Sequence, residues 1–138
     1  MVLVDTSVLI NYLKNVEDEY SNALNILIEN HYPIGINNFI YMEILQGAKS
    51  PKEYEILKKY LSQFHFYALK DDSSYEKATL LKVVCKNKGI NVRSTIDLLI
   101  VQTAIDNELM LLANDSDFYN MAKAVADLKM FEVYCSCR

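Results

Sequence analysis

The sequence contains little glycine and proline and no tryptophan: among 138 residues there are three glycines and two prolines. Flexible linkers are usually rich in glycine, serine or proline, so the composition offers no obvious point at which the chain divides. We therefore expect one domain over residues 1–138, long enough to bury a sizeable core. No apolar run reaches the roughly 18 residues that cross a membrane. The first residues also lack the features of a signal peptide, and we expect no membrane partner.

Cysteine is scarce as well, with three residues at Cys85, Cys135 and Cys137. An odd number without the spacing of a disulfide framework favours a reducing compartment, so we expect a cytoplasmic protein. Cys135 and Cys137 form a C-x-C pair that could bind metal. Two ligands do not complete a site, however, and two ordinary thiols are the simpler interpretation.

Positive charge is in deficit, since 14 lysines and arginines face 18 acidic residues, for a net charge of −4. This balance counts against a protein that coats nucleic acid by charge alone. It does not count against an enzyme that holds nucleic acid through metal ions. Carboxylates that bind cations lower the formal charge of the sequence, while the loaded site is far less negative.

The chain does contain short apolar segments that alternate with longer helical patterns. The predicted strands are Val2–Val4, Pro33–Asn37, Phe64–Leu69, Leu109–Ala113 and Met130–Tyr134. The predicted helices cover about residues 7–14, 20–30, 38–47, 71–88 and 95–107, with a further helix from residue 51. Strands that alternate with helices predict an α/β fold with a mostly parallel, about five-stranded sheet and helices on both faces.

Cap residues define several of these helix limits. Asn37 or Asn38 can cap the helix after the second strand, and Ser50 can cap the next one. Ser94 or the following threonine can begin the helix over residues 95–107. Gly89 is placed to end the long helix before it.

Acidic residues stand at the predicted carboxyl ends of strands. Asp5 follows the first strand and Asp115 follows the fourth. Glu43 lies in the early part of the helix after the second strand, between Ile40 and Ile44, so it interrupts an apolar stripe. Ligands of parallel α/β sheets collect beyond the carboxyl ends of the strands. We therefore expect these three acids to converge at one edge of the sheet.

Asp97 reaches the same edge by a different route. It precedes Ile100 and Val101 by three and four residues, on the apolar side of its helix. That helix turns into the fourth strand within a few residues, so the two elements run antiparallel. Ten helical residues and five strand residues both span roughly 15 Å. The start of the helix therefore returns to the carboxyl end of the strand, and Asp97 should lie beside Asp115.

Four inward carboxylates need a counter-charge. A carboxylate on a core-facing position costs several kcal/mol unless it is paired or bound to a cation. Few cationic partners are placed nearby; Arg93, at the start of the Asp97 helix, is one, and it does not balance four acids. One or two divalent ions would. Oxygen ligands without a histidine–cysteine cluster favour Mg²⁺ or Mn²⁺ over Zn²⁺.

Each acid taken alone has a simpler structural explanation. Asp5 could cap the first helix, Glu43 could be a half-exposed helix acid, and Asp97 could belong to a capping arrangement. Asp115 and Asp117 could form an Asx-turn. The predicted convergence of four acids from distant parts of the chain is what favours a functional site.

Four segments carry a resemblance to a known family: "VDTSVLINYL", "YMEILQGA", "STIDLLIVQTA" and "LLANDSDF". In this order and over nearly the whole chain, they resemble the motifs of PIN domains, and more narrowly of VapC-type toxins from toxin–antitoxin pairs. The resemblance implies a three-layer α/β/α sandwich and a metal-dependent endoribonuclease that uses Mg²⁺ or Mn²⁺. It implies RNA as substrate, a small antitoxin as partner, and a homodimer. Its acidic quartet maps onto Asp5, Glu43, Asp97 and Asp115.

Within this resemblance, Asp5 and Asp97 are the expected central metal ligands, and Asp115 is expected to bind metal directly or through water. Glu43 is expected to bind metal or to orient the attacking water. The expected accessory residues are Thr6, Ser7, Asn114 and Asp117.

The sequence departs from the family pattern at two positions. Ala113 stands where relatives often have threonine, so a hydroxyl contact would have to come from Asn114 or Ser116. Asn11 stands where many relatives have aspartate, and we interpret it as peripheral to the site.

Two other functional interpretations stay open. The chain could keep the PIN fold as a binding or regulatory module without nuclease activity. A phosphatase of the haloacid dehalogenase type also begins with an acid after a strand. It needs a second acid two residues later, where this chain has Ser7. Lys86 and Arg93 could contact RNA as part of a basic rim, or could simply lie on a solvated surface.

Overall fold

A computed structural model describes residues 1–133 of the chain. Within these residues, the strands form one parallel sheet in the order β3-β2-β1-β4-β5. The strands are β1 (Val2–Val4), β2 (Ile34–Ile36), β3 (His65–Phe66), β4 (Met110–Leu112) and β5 (Lys129–Met130). This confirms the predicted α/β sandwich. The predicted strand end at Tyr134 and the C-x-C pair Cys135 and Cys137 lie outside the described residues.

Seven helices are present in the described part of the chain. They are α1 (Thr6–Leu13), α2 (Glu19–Glu29), α3 (Asn38–Leu45), α4 (Pro51–Leu61), α5 (Ser73–Asn87), α6 (Thr95–Asp106) and α7 (Ser116–Ala124). The helix α7 was not predicted from the sequence. Its apolar face is short and consists mainly of the buried Phe118 and Met121, so the periodic signal covers little more than one turn.

The predicted helix caps are largely observed. The Asn37 side chain accepts a hydrogen bond from the Ile40 N–H (2.9 Å) and caps α3. Ser50 caps α4 and Ser94 caps α6 in the same way. Gly89 follows α5 with a φ of 77°, the left-handed conformation that ends a helix and that glycine adopts at least cost.

The two edge strands are shorter than predicted. Phe64–Leu69 was expected for β3, but the ladder ends after Phe66. Beyond it, one more backbone bond reaches β2, from the Tyr67 N–H to the Ile36 carbonyl (2.8 Å), and the chain then bonds to the end of α6. The Asn107 Nδ2 donates to the Ala68 carbonyl (2.8 Å), and the Lys70 N–H donates to Asp106 Oδ2 (2.9 Å). Such competition of side chains for the backbone leaves no periodic pattern in the sequence.

The hydrophobic core lies around β1 and β4 at the centre of the sheet. All three residues of β1 are fully buried, as are Leu111 and Leu112 of β4. No helix among residues 1–133 is long and apolar enough to cross a membrane.

The first strand therefore delivers its last residue into the middle of the sheet edge. In the ladder, Leu3 faces Gly35 of β2 on one side and Leu111 of β4 on the other. The Asp5 N–H continues this pairing by donating to the Leu112 carbonyl (2.9 Å). Any group that follows β1 consequently lies between the ends of β2 and β4.

Candidate functional site

Asp5 is a buried carboxylate at the junction of β1 and α1. It is 5% exposed and caps α1, with Oδ2 accepting hydrogen bonds from the N–H (3.1 Å) and hydroxyl (2.7 Å) of Ser7. Burial raises the pKa of Asp5, the Ser7 bonds oppose that rise, and the negative charge of Asp115 adds to it. Asp5 thus caps α1 and at the same time lies at the edge of the sheet.

Ser7 also connects the ends of two neighbouring strands. Its hydroxyl donates to Asp5 and accepts a hydrogen bond from the Asn114 N–H (3.0 Å). The loop after β4 is therefore held against the start of α1 through one oxygen atom. Asn114 makes this contact through its backbone N–H, and the residue itself is exposed.

Glu43 reaches the same place from α3. It is the sixth of eight residues in this helix, so it lies in the second half and not in the early part as predicted. Its Oε1 accepts a hydrogen bond from the Thr6 hydroxyl (3.0 Å), which fixes the carboxylate beside the end of β1. Burial raises the pKa of Glu43, the Thr6 bond opposes the rise, and the charge of Asp5 adds to it.

Asp97 is the third residue of α6, and its carboxylate is left without a capping role. Its N–H donates to the Ser94 hydroxyl (3.3 Å), which is an ordinary N-cap. In a capping box, the Ser94 N–H would also donate to the Asp97 carboxylate. No such bond is found within residues 1–133. The pKa of Asp97 is raised to about 7, chiefly by burial and further by the charges of four neighbouring carboxylates: Asp5, Asp115, Glu43 and Asp117.

Asp115 and Asp117 lie where β4 leads into α7. Asp115 is the N-cap of this helix, with Oδ1 accepting from the Asp117 N–H (2.9 Å). The local turn considered for these two residues is therefore real, and it begins a helix. It also turns both side chains towards the start of α6.

The closest carboxylates in this group are those of Asp97, Asp115 and Asp117. One oxygen atom from each lies within 4.8 Å of the other two. From the sequence, Asp5 and Asp97 were expected to be the central pair, and Asp117 was expected to be accessory. Asp5 and Glu43 act on Asp97 through their charges but lie outside this tight triplet.

The profile of the PIN domain matches residues 2–124. The chain belongs to the PIN domain family. The match includes all the acids above, and it ends at the last residue of α7.

Several solved structures resemble this PIN domain in fold. A chain of VapBC2 from Rickettsia felis, bound to a DNA fragment from the promoter, matches with a TM-score of 0.73 and 20% identity, over 95% of this chain and 98% of that one. A chain of FitAcB from Neisseria gonorrhoeae matches with a TM-score of 0.69 and 19% identity, over 96% and 97%. DNA-bound VapBC from Salmonella typhimurium matches with a TM-score of 0.68 and 18% identity, over 94% and 96%. Comparison with curated proteins found no significant match.

The donor set of this PIN domain suits a hard divalent cation. Three carboxylate oxygens lie close together, and the charges that act on Asp97 in the described residues are all negative. Mg²⁺ and Mn²⁺ prefer oxygen ligands, whereas the soft ligands typical of structural Zn²⁺ are absent from this set of carboxylates. The residues therefore fit the cation that the family resemblance implies.

The two expected RNA contacts lie outside the acidic group. Arg93 is exposed in the segment before α6, and it is not among the charges that shift the pKa of Asp97. Lys86 is exposed on α5, where it borders a shallow surface depression with Lys82 and Gly89. Their contact with RNA stays a prediction.

The closeness of Asp117 to Asp97 and Asp115 was not predicted from the sequence. The available signal was the i, i+2 spacing of two acids after a buried strand, which is typical of an N-cap and first-turn acid. Had α7 been predicted, both acids would have been placed at its N-terminus, facing the other strand ends.

The raised pKa of Asp97 predicts how the metal-free PIN domain responds to pH. Its folded pKa of about 7 exceeds the ordinary 3.8, so between these values the folded state binds more protons than the unfolded state. Stability should therefore fall as pH rises from about 4 to 7, and then level off. Because Asp97 is only half buried, solvent screens its interactions, and we expect the free energy of unfolding to fall by about 2 kcal/mol over this range. Thermal melts in EDTA across this range measure it.

Other acids also contribute to the pH dependence of stability, and saturating Mg²⁺ provides a control. Burial raises the pKa values of Asp5 and Glu43 as well, so they act in the same direction. The lowered pKa values of Asp18 and Asp106 affect stability mainly at more acidic pH. Saturating Mg²⁺ should abolish the decline between pH 5.5 and 7.5. A stability that rises with pH over this window in EDTA would contradict the placement of Asp97.

Proposed function

We propose that this PIN domain is a divalent metal-dependent endoribonuclease that hydrolyses phosphodiester bonds of RNA. The observation that carries the proposal is the environment of Asp97. Its half-buried carboxylate has four carboxylates around it, and two of these lie within 4.8 Å. A group of this kind is costly for a fold unless a cation is bound. Membership of the PIN family supports the nuclease interpretation.

The proposed ligands are Asp97 and Asp115, with Asp117 as the third close carboxylate and Asp5 behind them. When bound, Mg²⁺ or Mn²⁺ supplies Lewis-acid polarisation of the phosphate and lowers the pKa of a water molecule. Asp5 is already held by Ser7, so its free oxygen is aimed without any rearrangement of the strand end. Rigid support of this kind keeps a ligand set in place.

Glu43 is the residue proposed to orient the attacking water and accept its proton. The Thr6 hydroxyl holds one of its oxygens at 3.0 Å, which leaves the other oxygen for a water molecule. Because burial raises the pKa of Glu43, its carboxylate is a stronger base than an exposed glutamate. Thr6 is thus a positioning residue for Glu43.

The biological role that we propose is the toxin of a type II toxin–antitoxin pair, acting in the cytoplasm as a homodimer. The support comes from the solved structures of similar fold, which include VapBC and FitAcB complexes. The partner would be a small antitoxin that places a basic residue, such as arginine, among the four acids in place of the metal. A complex in which the partner leaves all four acids uncovered would contradict this part of the proposal.

The alternative is a PIN-fold binding or regulatory module without nuclease activity. The presence of Asp5, Glu43, Asp97 and Asp115 together at one sheet edge disfavours it, because a module that only binds a partner has no need to keep four repelling carboxylates. The two proposals differ in a single measurement, since the binding module would leave RNA intact with every metal.

The test of the proposed function is RNA cleavage by purified protein. We expect cleavage of single-stranded RNA with Mg²⁺ or Mn²⁺ and none in excess EDTA, with activity restored when metal is added back. Attack by water leaves no 2′,3′-cyclic phosphate, so the ends of the products identify the mechanism. Full activity in EDTA, or products with cyclic phosphate ends, would overturn the proposal.

A further inference from the structure

A second concave site lies along the same edge of the sheet, beyond the carboxyl ends of β2 and β3. We name it the β2/β3 cleft. Its volume is about 240 Å³, and its walls include Asn38, Phe39, Tyr67, Asp72 and Tyr75. Sites for drug-sized ligands are typically roughly 300–1,000 Å³, so this cleft suits something smaller, such as a single base.

The floor of the cleft is built from buried polar groups that already have partners. Asn37 Nδ2 donates to the Thr103 hydroxyl (3.0 Å), and the two residues are 2% and 0% exposed. The Oδ1 atom of the same amide accepts a hydrogen bond from the Ile40 N–H and so caps α3. The floor is therefore rigid and joins the end of β2 to the middle of α6.

The wall formed by residues 67–72 is held in place by the end of α6. Asn107 Nδ2 donates to the Ala68 carbonyl (2.8 Å), and Asp106 accepts from the Lys70 N–H (2.9 Å) and from the Ser74 hydroxyl (2.6 Å). A ligand would thus meet a preformed cleft, with little ordering still to be done.

The carboxylate of Asp72, at the edge of the cleft, does not cap the helix that follows it. Asp72 is the residue before α5 and yet makes no capping hydrogen bond with its side chain. The neighbouring Asp71 takes the Ser73 N–H instead (2.8 Å). Asp72, whose side chain makes no cap bond, therefore borders the cleft together with three aromatic residues, Phe39, Tyr67 and Tyr75.

Aromatic rings beside a carboxylate form a recognisable chemistry for one nucleobase. Unpaired RNA bases stack on aromatic side chains and are read by hydrogen bonds on their Watson–Crick edges. Guanine presents two adjacent donors there, N1–H and N2–H, which match the two oxygens of a carboxylate. Adenine, cytosine and uracil place an acceptor beside the donor, and a carboxylate repels that acceptor. We propose that the β2/β3 cleft binds an unpaired guanine, with Asp72 reading its Watson–Crick edge.

The cleft lies close enough to the acids to hold a nucleotide that flanks the cleaved phosphate. The β1–β2 register pairs Leu3 with Gly35, so two residues later Asn37 comes beside Asp5, about 5 Å away across the sheet. Asn38 borders the cleft and Glu43 belongs to the acidic group, five residues apart on α3, or about 7.5 Å of helix rise. One helix thus spans both sites.

Two lysines near the cleft reduce the repulsion that its acids would exert on the phosphates of RNA. Hydrogen bonds from Ser73 lower the pKa of Asp71, and the nearby positive charges of Lys77 and Lys70 lower it further. These lysines can contact a phosphate while the base enters the cleft.

The first experiment measures base binding without catalysis. Guanosine, inosine and adenosine 5′-monophosphates are titrated in EDTA and followed by amide chemical shifts. We expect the guanosine nucleotide to bind at least about fivefold more tightly than the other two, since inosine lacks the N2 amine. Asp72→Asn should remove this preference. Glu76→Gln, an exposed acid in the first turn of the same helix, should keep it. Equal binding of the three nucleotides, or a preference that survives in Asp72→Asn, would overturn the proposal.

The second experiment tests the cleft as an RNA subsite, a role that rests on the proposed nuclease function. Uridine oligonucleotides with one guanine or one adenine are cleaved in Mg²⁺ or Mn²⁺. We expect cuts beside guanine at least about tenfold faster than beside adenine. Asp72→Asn should lose this ratio, whereas Glu76→Gln should keep it. Cleavage without base preference would overturn the subsite and leave the nuclease intact. No cleavage with any metal would overturn the nuclease function and with it the subsite, whereas base binding stands or falls on the nucleotide titration.

Discussion

Asp97→Asn should abolish metal-dependent RNA cleavage and leave the metal-free fold at least as stable as that of the wild type. Within residues 1–133, the side chain accepts no hydrogen bond that the amide would lose, and its carboxylate is repelled by four others. Changes to groups that only support metal ligands commonly cost 10–100-fold in affinity or activity, so we expect loss of a ligand to cost at least about 100-fold. Cleavage assays and thermal melts of both proteins measure the two effects.

The metal dependence of stability separates a ligand from a structural acid. The wild type should gain about 1.4 kcal/mol when Mg²⁺ is about tenfold above its dissociation constant, and Asp97→Asn should lose most of that gain. Asp127→Asn is a suitable control, because Asp127 is exposed in the turn before β5. If Asp97→Asn melts well below wild type in EDTA and neither protein responds to Mg²⁺, the acid is structural and the proposed site is refuted.

Gly35→Ala should cause the largest loss of stability among single small substitutions in this sheet. A Cβ atom at this position of β2 would overlap the His65 carbonyl oxygen and lie 2.6 Å from Cε2 of the Tyr67 ring. The carbonyl belongs to the backbone of the paired strand β3, so it cannot move without breaking the ladder. We expect a loss of about 3 kcal/mol or more in the free energy of unfolding, measured by urea denaturation.

Gly47→Ala is the matched control for this substitution. Its new Cβ would lie 3.4 Å from the nearest atom, the Ile44 carbonyl oxygen, which is an ordinary contact. We expect a change within about 0.5 kcal/mol, as for most substitutions away from special features. Equal stabilities of the two variants would show that β3 is not held as closely to β2 as the structure indicates. Because β2 leads into α3, Gly35→Ala should also displace Glu43 and reduce RNA cleavage.

The order of strands and helices was accessible from the sequence because it follows from local signals. The run Val2–Val4 is apolar throughout, and a strand of this kind must be buried on both faces. Asn37, Ser94 and Gly89 are cap residues whose chemistry acts within a few residues, so their positions predicted helix limits well. The short strands β3 and β5 were less accessible, since neighbouring elements decide where an edge ladder stops.

The convergence of the acids could be predicted only in outline. The return of α6 to the end of β4 follows from element lengths, so the meeting of Asp97 and Asp115 could be predicted from the sequence. The closeness of Asp117 was not, because it depends on α7 beginning at Asp115, and a nine-residue helix has too little periodicity to be predicted with its neighbours unknown.

By itself, the sequence determined the parallel α/β architecture, the family, and the four acids that lie at one sheet edge. These properties depend on patterns and spacings that are present in the chain in linear form. Only the tertiary structure decided which oxygens lie within 4.8 Å of one another, how Thr6 and Ser7 hold Glu43 and Asp5, and that a cleft with Asp72 lies beside them. The physical reason is that such distances depend on the packing of elements far apart in sequence, and packing is set by the whole core at once.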